Sequence, residues 1–165
     1  MADGAFVTDR SVLFPDNGVG AILIAPDGRY LLQLRDDKPG IFFPGHWGCF
    51  GGAVDPGEDA EQAIIRELFE ELGLTVDGGA LTRFTHFTFD LGFCGVGTIY
   101  RTMFEISLAE NHVAALRLGE GSAFGLFAAE DILRGLTVTP YDSFALWLHI
   151  SRNRLQPPAH KRGAL

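Results

Sequence analysis

The chain has 165 residues, 47% of them hydrophobic, and carries 21 acidic against 13 basic side chains for a net charge of −8. That length suits one well-buried core and is short for two domains, and the acidic balance argues against binding along a nucleic-acid backbone, which depends on Lys and Arg displacing counterions. The start, MADGAFVTDRSVLF, lacks a basic stretch ahead of a long apolar run, and no segment has the length needed to cross a bilayer, so a soluble cytoplasmic protein with no membrane partner is expected.

Val19 to Ala25 and Tyr30 to Arg35 are apolar runs separated by Pro26-Asp27-Gly28, a turn-forming triplet, which predicts a β-hairpin. Ile41 to Phe50 is rich in aromatic residues, Gly and Pro, and reads as a loop leading into a short strand at Trp47 to Phe50 before the Gly51-Gly52 break. Asp59 with Gln62 three residues later has the form of a capping box, and Gly73 supplies a stop, so a helix is predicted from Ala60 to Leu72. Ala60, Ala63, Ile64, Leu68 and Leu72 give that helix an apolar stripe with Glu67 and Glu71 along its border. Arg83 to Leu91 and Thr98 to Leu108, joined by a glycine-rich connection, predict two long antiparallel strands. Ala123 to Ala128 reads as a further strand, Ala129 to Arg134 as a helical turn, and Tyr141 to Arg152 as an amphipathic helix introduced by Pro140. The polar tail with His160-Lys161-Arg162 after Pro157-Pro158 reads as lying outside the domain. The order of elements lacks regular βαβ spacing, so a mixed sheet flanked by helices is the expected architecture. Cys49 and Cys94 have neither metal-ligand nor redox spacing, which suits reduced, buried thiols.

The charge is unevenly spread. From Asp55 to Glu71 there are seven acidic residues against the single base Arg66, a local balance of −6. Glu67, Glu70 and Glu71 fall at helical neighbour spacing, so three carboxylates share one side of the helix. Such repulsion opposes folding unless a hard cation neutralises part of it, and the segment reads as a site for Mg²⁺ or Mn²⁺.

Gly52, five residues, Glu58, seven residues, then Arg66-Glu67-Leu68-Phe69-Glu70-Glu71-Leu72-Gly73-Leu74 resembles a complete Nudix box. The resemblance implies an α/β (α+β) fold, an α/β/α sandwich around a mixed, partly antiparallel sheet, in one domain over residues 1–155 with a tail at 156–165. It also implies an enzyme that uses Mg²⁺ to hydrolyse a nucleoside diphosphate linked to another moiety, with a small nucleotide as partner and a monomeric or homodimeric state. By resemblance Glu67, Glu70, Glu71 and the carbonyl of Gly51 are metal ligands, and Arg66 is tied to Glu58. The general base is Glu67 or a carboxylate outside the box, for which Glu105 and Glu120 are this chain's candidates.

Other residues are weaker candidates. Trp47, or the phenylalanines at 42, 43 and 50, could stack on a base, although aromatic residues mostly supply buried area. Arg35, Arg83 and Arg101 lie on predicted strands and could reach phosphate, although strand arginines are commonly solvated. The five histidines have no ligand-type spacing, and Cys49 is a poor nucleophile candidate. The box reads the diphosphate alone. The stretch Trp47 to Gly52 lacks the Pro-Gly-Gly found ahead of the box in many relatives that act on oxidised nucleoside triphosphates, which favours a nucleotide-sugar or similar conjugate. The rival expectations are a nucleoside triphosphate pyrophosphohydrolase, a non-catalytic nucleotide sensor and a prenyl diphosphate isomerase of the same fold.

Overall fold

The computed structural model describes residues 18–38, 40–95 and 97–155, with Cys94 described by its backbone alone. The terminal readings made for residues 1–14 and for the tail at 156–165 lie outside the described residues, as does the Cys94 side chain.

The predicted hairpin is formed by β1 (Val19–Ile24) and β2 (Tyr30–Leu34), closed at the turn by Gly28 N–H donating to the Ala25 carbonyl at 2.9 Å. The stretch from Trp47 gives a shorter strand than expected, β3 (Trp47–Gly48), and Phe50 makes a separate antiparallel bridge to Ala21. Helix α1 (Ala60–Leu72) has the predicted bounds because its ends are chemically fixed. Asp59 Oδ1 accepts from the N–H groups of Glu61 and Gln62, Gln62 Oε1 accepts from Asp59 N–H, and Gly73 turns left-handed at φ 63°. The two long strands are β4 (Thr82–Asp90) and β5 (Thr98–Ser107). A short helix that the sequence reading did not anticipate, α2 (Glu110–Ala115), follows, and its single turn and a half carries too little periodicity to be seen. Then come β6 (Ala123–Phe127), α3 (Ala129–Arg134) and α4 (Pro140–Leu155).

The six strands form one mixed sheet in which β1 runs parallel to β5 and the other paired strands are antiparallel. Strand alternation sends side chains to two separate cores. Ala21, Leu23, Leu31, Phe104 and Ile106 face α1 and meet its buried stripe, while Ile22, Tyr30, Leu32 and Met103 face α3 and α4. Helices therefore cover both faces of the sheet, the sandwich expected from the sequence.

The α4 face contains buried charge. Asp142, 1% exposed, accepts through Oδ2 from Cys49 N–H at 3.0 Å and from Thr139 Oγ1 at 2.8 Å, and its Oδ1 lies 3.4 Å from Arg101 Nε. This group pins the start of α4 to the strand that leads into the box. Removing one partner of a buried ion pair costs about 3–5 kcal/mol, whereas losing a helix N-cap costs about 1 kcal/mol. Urea unfolding is therefore expected to show Asp142→Ala several-fold more destabilising than Asp59→Ala, and equal losses would contradict the role given to Asp142.

Candidate active site

The segment Phe50-Gly51-Gly52 runs beside β1, with the carbonyls of Phe50 and Gly52 accepting from Ala21 and Val19 N–H at 2.8 and 2.9 Å. Between them, the N–H of Gly51 donates to Glu71 Oε2 at 2.8 Å. Glu71 Oε1 accepts from Gln33 Nε2 at 3.2 Å. Glu71, which the helix pattern places at the border of the stripe, is only 6% exposed, because it lies one turn from the buried Leu68 and its carboxylate is covered by Gly51 and Gln33. Burial pushes its carboxyl up to about 7, against the downward pull of those two hydrogen bonds.

Glu67 lies over Gly52. A Cβ at residue 52 would come within 2.5 Å of Glu67 Oε1, so a side chain there would displace the carboxylate from the cleft. Burial raises the Glu67 carboxyl, and Arg66 opposes that shift. Arg66 gathers the remaining acids. It donates through Nε and Nη2 to both oxygens of Glu58 at 2.8 and 2.9 Å, through Nη1 to Glu67 at 2.9 Å and Glu70 at 3.1 Å, and through Nη2 to the Ala53 carbonyl at 3.0 Å. The paired guanidinium holds Glu58 below the usual carboxylate range.

The loop after α2 completes the cleft. Arg117 and Gly119 N–H donate to the last carbonyls of α1, those of Leu72 and Glu71, at 2.9 and 2.7 Å. A Cβ on Gly119 would sit 2.1 Å from the Glu70 carbonyl oxygen, so only glycine allows this approach. The loop thereby brings Glu120 to the cleft wall, with Gln33, Arg35, Asp36 and Ile41 on the side opposite the helix.

The structure thus brings Gly51, Glu67, Glu71, Glu120 and Arg35 to one cleft, with Glu58, Arg66 and Glu70 attached through the guanidinium. Four sequence candidates lie elsewhere. Trp47 packs edge-on against Phe127, with ring centroids 4.6 Å apart, at the rim of the core under α3 and α4. Arg101 is buried beside Asp142 with its guanidinium 5.0 Å from the Tyr141 ring centroid. Arg83 lies over the Phe104 ring. Glu105 is paired with His149 at 3.0 Å and with Arg152 on the α4 face. Arg101 and Glu105 share the strand parity of Met103, which points away from α1. Cys49 is likewise buried on that face, where burial pushes its thiol well up. Sequence reasoning missed Gln33 and Asp36. For Gln33 a signal existed, an amide at an inward position of the otherwise apolar Tyr30-Leu31-Leu32-Gln33-Leu34.

As arranged, no three His, Cys, Asp or Glu side chains among the described residues stand together closely enough to hold an ion. The reason is visible in the hydrogen bonds, since Arg66 takes oxygens of Glu67 and Glu70 while Gly51 and Gln33 take those of Glu71. The donor set is nonetheless all hard oxygen, and Gly52 keeps the space for Glu67 clear. Both features fit Mg²⁺ or Mn²⁺.

Comparison with known proteins bears on the family and the fold. The NUDIX domain family model matches residues 15–148. The chain is 48% identical over 67 residues to nucleoside triphosphatase NudI of Escherichia coli, covering 41% of this chain and 45% of that protein. It is 43% identical over 70 residues to an RNA pyrophosphohydrolase of Gluconacetobacter diazotrophicus, covering 41% and 42%. The chain therefore spans less than half the length of these curated relatives. Among solved structures, a MutT protein from Methanosarcina mazei matches with TM-score 0.68 at 22% identity, covering 86% of this chain and 96% of that one. A MutT NUDIX hydrolase from Burkholderia pseudomallei matches with TM-score 0.65 at 29% identity, covering 81% and 96%. With the family match extending over most of its length and the sandwich fold in common, the chain belongs to the NUDIX domain family.

Proposed function

We propose that this chain is a pyrophosphohydrolase that cleaves a phosphoanhydride bond in a small nucleotide, using Mg²⁺, or Mn²⁺ in its place, held by Glu67, Glu70, Glu71 and the Gly51 carbonyl. The observation that carries the reading is the convergence of Glu67, Glu71 and Glu120 on a cleft that also contains one guanidinium, Arg35. When bound, the metal screens the phosphate charge and stabilises the oxygens on which charge develops. Glu67, turned into the cleft over Gly52, would take the proton of the attacking water as the anhydride P–O bond breaks and its oxygen leaves with the second product. Glu120 is the alternative base from outside the helix. Arg35 faces the cleft with Nε donated to the Phe42 carbonyl at 2.8 Å, and its role is to meet phosphate oxygens. Arg66 and Glu58 fix the loop against the helix and orient Glu67.

The relatives bear on the substrate. A nucleoside triphosphatase at 48% identity across the matched segment favours a nucleoside triphosphate over the sugar conjugate expected from the missing Pro-Gly-Gly. A cleft with a single guanidinium among acidic groups suits a substrate that arrives as its metal complex. Incubating the chain with Mg²⁺ and a panel of nucleoside triphosphates and nucleoside diphosphate sugars, with products resolved by phosphorus NMR, tests both readings. Cleavage of a triphosphate to a monophosphate is expected. Tight nucleotide binding without any product would overturn catalysis in favour of a sensor, and cleavage of sugar conjugates alone would restore the earlier substrate reading.

Two further outcomes follow from the geometry. Glu70→Gln and Glu71→Gln should each lower turnover by orders of magnitude at an unchanged fold, and near-normal turnover in either folded variant would remove the metal assignment. Glu71 has its carboxyl at about 7 in the folded chain against the usual 4.5, so the folded state binds the extra proton between those values. Metal-free stability should therefore fall as pH rises through that window, and Mg²⁺, which must displace the same proton, should raise the thermal midpoint more at pH 8 than at pH 6. Equal shifts at the two pH values would contradict a role for Glu71 as ligand.

A further inference from the structure

Gln33 is a buried amide in the wrong place for a core. Strand β2 sends Leu31 and Gln33 to the α1 face, and Leu31 is fully buried there, so the next inward position would ordinarily be apolar. Gln33 is instead a glutamine at 6% exposure, and an amide is costly in such a position unless its hydrogens are used. Both are. Nε2 donates to Glu71 Oε1 at 3.2 Å and to the backbone carbonyl of Glu120 at 3.1 Å. Since the Glu120 backbone carbonyl can only accept, the nitrogen must be the atom that faces it. The turn that carries Glu120 is shaped around this amide, for a Cβ on Gly121, at φ +85°, would lie 2.9 Å from Gln33 Cγ.

We propose that Gln33 is a positioning residue that sets the distance between the Glu71 carboxylate and the Glu120 turn, and through it the readiness of the cleft to take a divalent cation. The inference rests on the pyrophosphohydrolase reading. Backbone bonds from Arg117 and Gly119 hold the root of the loop to the end of α1. The Gln33 amide joins the turn itself to the box carboxylate, and it engages the carbonyl of Glu120 and leaves the Glu120 side chain for the cleft. A group that orients a ligand from behind typically contributes about 10–100-fold in metal affinity or activity.

The test uses Gln33→Met, which keeps the length of the side chain without its hydrogen bonds, and Gln33→Leu as a second apolar filling should Met fail to fold. Mn²⁺ binding without nucleotide is measured by calorimetry, and kcat and KM are measured on the nucleoside triphosphate that the parent chain cleaves. The expected result is an unfolding midpoint close to the parent's, Mn²⁺ binding weaker by about tenfold or more, a matching fall in kcat, and an unchanged KM. Adding Glu120→Gln should cost the variant far less than it costs the parent, because the turn is already released. Mn²⁺ affinity and kcat equal to the parent's in a folded variant, or an equal cost of Glu120→Gln in both backgrounds, would overturn the inference alone. A parent chain that neither binds Mn²⁺ nor releases product would overturn the pyrophosphohydrolase reading and this inference with it.

Discussion

One guanidinium holds the box together. Arg66 contacts three carboxylates and a backbone carbonyl within 3.1 Å, and it is the only base in a segment that carries seven acids. Without it Glu58, Glu67 and Glu70 would repel one another across the loop and the first face of the helix. With it, the loop from Ala53 to Glu58 is drawn against α1, and Glu67 is turned over Gly52 into the cleft. The same bonds occupy oxygens that a cation would need. On the pyrophosphohydrolase reading proposed above, metal binding in this cleft would be an exchange in which an ion takes over part of the neutralisation that Arg66 supplies, and Glu70, exposed and held by a single bond at 3.1 Å, would be the carboxylate most easily given up.

The two faces of the sheet divide the work. On the α1 face the polar groups of Gln33, Glu67, Glu71 and Glu120 meet at the end of an otherwise apolar core. On the α4 face the polar groups are paired among themselves, Arg101 with Asp142 and Glu105 with His149, whose Nδ1 lies 3.0 Å from the Tyr30 hydroxyl. These pairs tie α4 to β2 and β5, and Asp142, by accepting from Cys49 N–H, holds the segment that delivers Gly51 and Gly52. The chemistry proposed for the chain and the anchoring of α4 are thus assigned to opposite sides of the same strands, two residues of β5 being excluded from the cleft by parity alone.

The parts legible in the sequence were those with local causes. The capping box, the stripe of α1 and the Pro26-Asp27-Gly28 turn each depend on residues within a few positions of one another, and each forms where those residues lie. The carboxylates of the box were legible for the same reason, being set by helical spacing. The burial of Glu71 was not, because it depends on Gly51 and Gln33, distant in sequence. Arg101 and Glu105 could not be assigned to a face until the register of β5 against β1 was known. The 117–121 loop reaches the cleft through bonds to the end of α1 and to Gln33, partners distant in sequence, so Glu120 could be suspected from its place ahead of a strand, and the amide that holds its turn could not.

The most direct test of the exchange is a crystal structure of the chain soaked in Mn²⁺, with the ion located by its anomalous signal. The account predicts an ion bound by oxygens of Glu67, Glu70 and Glu71 and the Gly51 carbonyl, with Arg66 still on Glu58 and its bond to Glu70 released. An ion bound away from these residues, or a cleft with all the Arg66 bonds intact at saturating Mn²⁺, would contradict it.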